Sequence, residues 1–314
     1  MSKRIQNWVA ESRHTLPVAA LYGVAIWFLS GPLYMERWFQ LICFAISVWL
    51  VIRMNNDNLL IRIYSRMVSV SFIFLMCIDH HLFQSVPGSI AQLCFLISLV
   101  LLFQTYQDNT AKGKIFYVFL SLGVGSIAYI QMFYIIPLFW VLMYLTIHSL
   151  SWRTLTTSVI GLVCPYWLLV GWIVQFEHAD FNPWIQKFQE LGQFQMPFDF
   201  STVEQSQILF FVFLVILGII GTVQFMHKSY NDKIQVRQLY YSFILLGMVT
   251  AVFLAFQPQL YDLLIRILVV TVSPLIAHFL ALTHNRISNI VFFIITGAVV
   301  LFTAYNLWSS SLIF

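Results

Sequence analysis

The chain has 314 residues, 60% of them hydrophobic and only 9% charged, with a mean hydropathy of +0.84. A water-soluble domain carries roughly a quarter charged residues, so this composition excludes an ordinary soluble fold. The formal charge of +4 comes without any basic run, which argues against a nucleic-acid partner.

The apolar residues form long runs rather than a half-apolar surface periodicity. In a hydrocarbon core every backbone amide must be satisfied internally, which leaves helices or a closed barrel. Barrel strands alternate strictly, and a run such as ILFFVFLVILGII (208–220) does not. The expected fold is therefore all-α, a polytopic transmembrane helix bundle of about eleven spans. They fall near 16–34, 38–53, 66–84, 88–106, 115–129, 132–148, 155–175, 207–226, 239–256, 263–283 and 288–308.

In chain order, residues 1–15 read as a retained cytoplasmic tail with an amphipathic start and no cleavage site. Glu36 and Arg37 fall in the turn after the first span. Arg53, Arg62 and Arg66 flank NNDN and IRIYSR on the inner side, as orientation charges or as contacts to a phosphate or anionic lipid. Asp79, His80 and His81 close the third span. On a regular helix His80 and His81 point about 100° apart and cannot share one metal ion.

The stretch 115–148 would be about 50 Å long as one helix, too long for a bilayer of about 30 Å. Two spans turning near 128–131 fit better. They also place thirteen Lys/Arg on the cytoplasmic side and three (Arg37, Lys187, Arg266) outside. The pair Gly123 and Gly125 reads as a close helix contact.

Residues 177–206 form the sizeable periplasmic loop. Asn182 followed by Pro183 starts a helix, and Trp184, Ile185, Phe188 and Leu191 give it an apolar face that suits the membrane interface. Glu177, His178 and Asp180 precede it. Asp262 and Arg266 open the tenth span four residues apart, where they can pair with each other. His278 reads as a buried histidine with a local partner. The C-terminus falls on the periplasmic side, and 1–314 reads as one integral membrane domain.

The four cysteines lie inside apolar segments with no CxxC spacing, so neither a disulfide framework nor a zinc site is expected from them. No P-loop, GxGxxG, HExxH or GxSxG occurs, and no cofactor or metal is expected. Charges near hydrocarbon are the default functional candidates. Glu36, Asp79 and His80 are thus candidate acid–base groups, and Arg37, Arg266, Asp262 and His81 are candidates for holding a lipid phosphate or substrate.

The segments NNDNLLIRIYSR (55–66), 114–145 and SWRTLTTSVIGLVCPYWLL (151–169) resemble a family of multispanning inner-membrane proteins of Bacteroidetes. Trp152, Arg153, Ile160, Gly161, Leu162, Pro165 and Tyr166 carry the best signature. That resemblance covers roughly the first 170 residues and implies a place in the bacterial inner membrane without an activity.

The span count, the paired short helices of 115–148 and the interfacial helix are also similar to glycosyltransferases that use polyprenyl-phosphate sugars. There an acidic residue of a large first outer loop is base or metal ligand, a place only Glu36 could fill, and 34–37 is far shorter than that loop. Three functions follow as expectations: a structural or accessory subunit of a cell-envelope complex, an enzyme acting on lipid-linked sugars at the periplasmic face, or a transporter or flippase. The expected partners are membrane lipids, with other inner-membrane proteins or a polyprenyl-phosphate lipid beside them.

Overall fold

The computed structural model describes residues 5–31, 35–176, 181–192, 200, 203–283 and 286–311. Among these the regular structure is entirely helical. The first helices are α1 (Ile5–Glu11), α2 (Thr15–Leu29), α3 (Met35–Asn58), α4 (Met67–Met76) and α5 (Val86–Phe103). They are followed by α6 (Lys112–Ala128), α7 (Ile136–Leu145), α8 (Trp152–Phe176) and α9 (Asn182–Gly192). The last are α10 (Gln205–Lys228), α11 (Ile234–Phe256), α12 (Tyr261–Leu282) and α13 (Arg286–Ser311).

Seven described helices are long and apolar enough to cross a membrane, and the bundle is compatible with a multi-pass membrane protein. Each of the eleven apolar segments read from the sequence falls on a helix, but four of these helices are not among the seven. The 10 residues of α4 rise only about 15 Å. It stops at Met76, well before residue 84, and is enclosed by α2, α3 and α12.

The centre is α12. Every residue of it except Asp262 is buried, packed by α1, α4, α5, α10 and α11. A helix apolar on all sides needs such a jacket. The outward faces of α8, α10 and α13 stay apolar as well, with Leu168 74%, Met226 64% and Leu301 72% exposed. Those faces suit hydrocarbon and not water.

The reversal expected near 128–131 is present. α6 ends at Ala128, Tyr129 is extended (φ −140°, ψ 97°), and a 3₁₀ turn, Ile130–Ile135, leads into Pro137 in the first turn of α7. α7 folds back, so that Phe119 meets Phe139 and Trp140.

α6 and α8 pack through glycines. A Cβ on Gly123 would stand 2.8 Å from the Leu162 carbonyl, and one on Gly161 would stand 2.5 Å from the Phe116 carbonyl. Backbone approach this close is how small residues join helices in lipid. Gly161→Ala is therefore expected to cost about 1–3 kcal/mol through overpacking. Gly297→Ala on α13, with nothing within 4 Å, should be neutral or mildly stabilising. Thermal midpoints of the two variants in detergent check this, and equal midpoints would refute the close contact.

Residues 5–11, read as part of a tail, form a helix docked on the bundle. The Gln6 side chain is buried and donates from Nε2 to the Leu280 carbonyl at 2.6 Å and to Thr283 at 3.2 Å. Ser65 donates to the Ala10 carbonyl at 2.8 Å. The helix expected at 182–192 is α9, which rests on the 3₁₀ turn before α7. Tyr134 donates to the Leu191 carbonyl at 2.7 Å, and the Phe188 ring lies against Phe133 and Tyr166. Ile185 and Phe188 remain 50% and 41% exposed.

Candidate functional site

Most of the polar residues singled out in the sequence gather at one end of the bundle, the Asp79 end. Arg266, on the second turn of α12, has a side chain only 1% exposed. Its Nε donates to Asp262 Oδ1 at 2.9 Å, Nη1 to Gln92 Oε1 at 3.2 Å and Nη2 to the Leu82 carbonyl at 2.7 Å. Asp262 in turn accepts from the Ser85 hydroxyl at 2.6 Å. The pairing of Asp262 with Arg266 expected from their spacing is therefore present, and it is extended to α5 and the connection before it. Gly88 on α5 makes room, since a Cβ there would collide with the Asp262 carboxylate.

Glu36 and Arg37 stand on the first turn of α3 rather than in a turn between helices. Arg37 is buried and donates to the Trp27 carbonyl at 2.9 Å and to the Ser30 hydroxyl, with its guanidinium 5.3 Å from the Trp27 ring centroid. A cation at the last carbonyls of α2 complements that helix end. Glu36 points outward and is exposed.

Asp79, His80 and His81 lie in the connection between α4 and α5, outside the helices themselves. The end of α4 at Met76 changes their geometry from that of a regular helix. Asp79 is extended (φ −105°, ψ 107°) and caps a 3₁₀ turn, His80–Phe83, by accepting from the His81 amide at 3.0 Å. In this tighter turn the two imidazoles come together, with centroids 4.1 Å apart. Tyr261 donates to the second Asp79 oxygen at 2.9 Å. His81 Nε2 stands 3.5 Å from Glu204 Oε2, at the start of α10.

Burial pushes the Asp79 carboxyl above the usual carboxylate range, opposed by His81 and by the Tyr261 hydrogen bond. Burial, followed by the neighbouring His81, pulls His80 down to about 4. Ligand-type atoms of Asp79, His80 and His81 all lie within 4.8 Å of one another. The Asn306 side chain donates to the Ile78 carbonyl at 2.6 Å, tying α13 to the same connection. Glu177, His178 and Asp180 lie outside the described residues.

The opposite end holds two features, each seen only in part from the sequence. His278 on α12 contacts Asp232 at 3.0 Å, with side chains 1% and 3% exposed. The rings of Phe225 and Tyr240 meet the imidazole edge-to-face. Its partner is thus 46 residues away in the connection between α10 and α11, and not local.

Beside this pair lies a cavity of about 560 Å³, whose lining includes Asn55, Arg62, Tyr64, Arg66, Asp232 and Lys233. Leu59, with φ 50°, ends α3 in the left-handed conformation usually taken by glycine and turns the chain into 60–66. Asn55 then donates to the Ser65 carbonyl at 3.1 Å, holding the basic segment at the cavity wall.

No family model, curated protein or solved structure matches the chain.

Proposed function

We propose that the chain is a multi-pass protein of the bacterial inner membrane that serves as an accessory subunit of a cell-envelope complex. The observation that carries this reading is the internal use of the charges at the Asp79 end. Arg37 and Arg266 are buried against helix-end carbonyls and Asp262, so both guanidiniums join helices instead of facing a substrate. Basic residues collect at the other end, including Arg53, Arg62, Arg66, Lys112, Lys114, Arg153 and Lys233. The positive-inside rule then puts that end in the cytoplasm and the Asp79 end in the periplasm. The apolar outward faces of α8, α10 and α13 are the surfaces offered to lipid or to partner helices.

The basic cavity favours a second reading, in which the chain handles a phosphate-bearing lipid as a flippase or a glycan enzyme would. Arg62, Arg66 and Lys233 supply the charge, and the Tyr64 and Asn55 side chains supply polar contacts. A mild-detergent purification of the tagged chain, analysed for proteins and lipids, separates the two. The accessory-subunit reading expects stoichiometric protein partners. A lone chain carrying polyprenyl-phosphate lipid, lost in an Arg62→Ala, Arg66→Ala double variant, would overturn it in favour of the second.

A further inference from the structure

We propose that Asp79, His80 and His81, completed by Glu204, form a binding site for one divalent metal ion of the zinc class, which staples the α4–α5 connection to the start of α10. Two imidazoles and two carboxylates are a donor set for tetrahedral Zn²⁺. Ligands about 2.0 Å from zinc at the tetrahedral angle stand roughly 3.3 Å apart. His81 Nε2 and Glu204 Oε2 are 3.5 Å apart, close to that spacing. The three consecutive residues place their ligand atoms within 4.8 Å of one another, and Glu204 joins the group through His81.

A second observation points to a ligand. His80 is only 5% exposed, yet its Nδ1 is buried without a hydrogen-bond partner. A buried imidazole nitrogen with an open lone pair or an unshared proton costs stability unless something meets it. The surroundings also suit a metal. Tyr261 donates to one Asp79 oxygen and the His81 amide to the other, the kind of outer contacts that orient a ligating carboxylate. His81 and Glu204 are partly exposed, with side chains 33% and 55% accessible, which leaves a path for entry. All four ligands come from the protein, so the ion would hold two segments together without an open position for chemistry.

The test uses the full chain in detergent, carrying a tag without histidine, stripped with EDTA, equilibrated with Zn²⁺ and desalted. Mass spectrometry should find one zinc per chain, and Co²⁺ in its place should give the intense visible bands of a tetrahedral site. His81→Ala should lose stoichiometric binding. Glu204→Gln, at the half-exposed N-cap of α10 where the amide oxygen can still accept from the Gln207 backbone amide, should weaken zinc by roughly tenfold or more. His227→Ala, at the far end of α10, should change nothing. Zinc well below one equivalent in the wild type overturns the proposal. So does one equivalent held equally tightly by Glu204→Gln and His81→Ala. If His81→Ala does not elute as a single species, the wild type and Glu204→Gln decide.

Discussion

Replacing Arg266 with methionine is expected to destabilise the bundle by about 3–5 kcal/mol, the range for breaking a buried ion pair from one side. Methionine matches the length of the apolar stem but removes every donor. The buried Leu82 carbonyl and Gln92 Oε1 would lose their partner, and the partly exposed Asp262 would keep only the Ser85 hydroxyl. Because α12 packs against α1, α4, α5, α10 and α11, the loss reaches beyond one turn.

A second change shows the origin of the effect. In Asp262→Leu with Arg266→Met, neither charge is left alone, so part of the loss should return. The yield of monodisperse protein and its thermal midpoint in detergent measure both. An Arg266→Met chain that melts with the wild type would mean the guanidinium contributes nothing to the fold.

Asp232→Ala is expected to cost about 2–3 kcal/mol, because it strands His278 Nε2 among the rings of Phe225 and Tyr240. Asp232→Asn keeps an acceptor at the same place and should cost clearly less. The Asp79 end lies a helix length away, so the effects of Arg266→Met and Asp232→Ala should add. Equal losses for the alanine and asparagine variants would show that the hydrogen bond is not what matters at this position.

The sequence carried the apolar helices plainly, because in hydrocarbon a helix is written as an apolar run of fixed length. The reversal at 128–131 was legible from length and charge together. So was the Asp262–Arg266 pair, because residues four apart share a helix face. The Gln92 and Leu82 contacts of Arg266 were not. α4 is apolar on nearly every side, and so is α12 apart from a few residues such as Asp262, Arg266 and His278, so no polar stripe shows which face meets which neighbour.

Asp232 sits in a stretch, SYNDK, that reads as a solvated connection, and nothing local shows that it turns inward to His278. The meeting of His80 with His81 depends on where α4 stops. A single turn decides that, and terminal turns are the least certain part of any helix reading. The docking of α1 rests on Gln6 reaching residues more than 270 positions away, beyond any spacing argument.

The position of α12 in the chain has a consequence for biogenesis. All the helices that pack most closely around it (α1, α4, α5, α10 and α11) are translated before it. Until Tyr261–Leu282 is made, the faces they turn toward it lack the helix that joins all five. Pairs such as α5 with α6 and α6 with α8 can close as soon as they are made, whereas the jacket around α12 is expected to close only once that segment arrives.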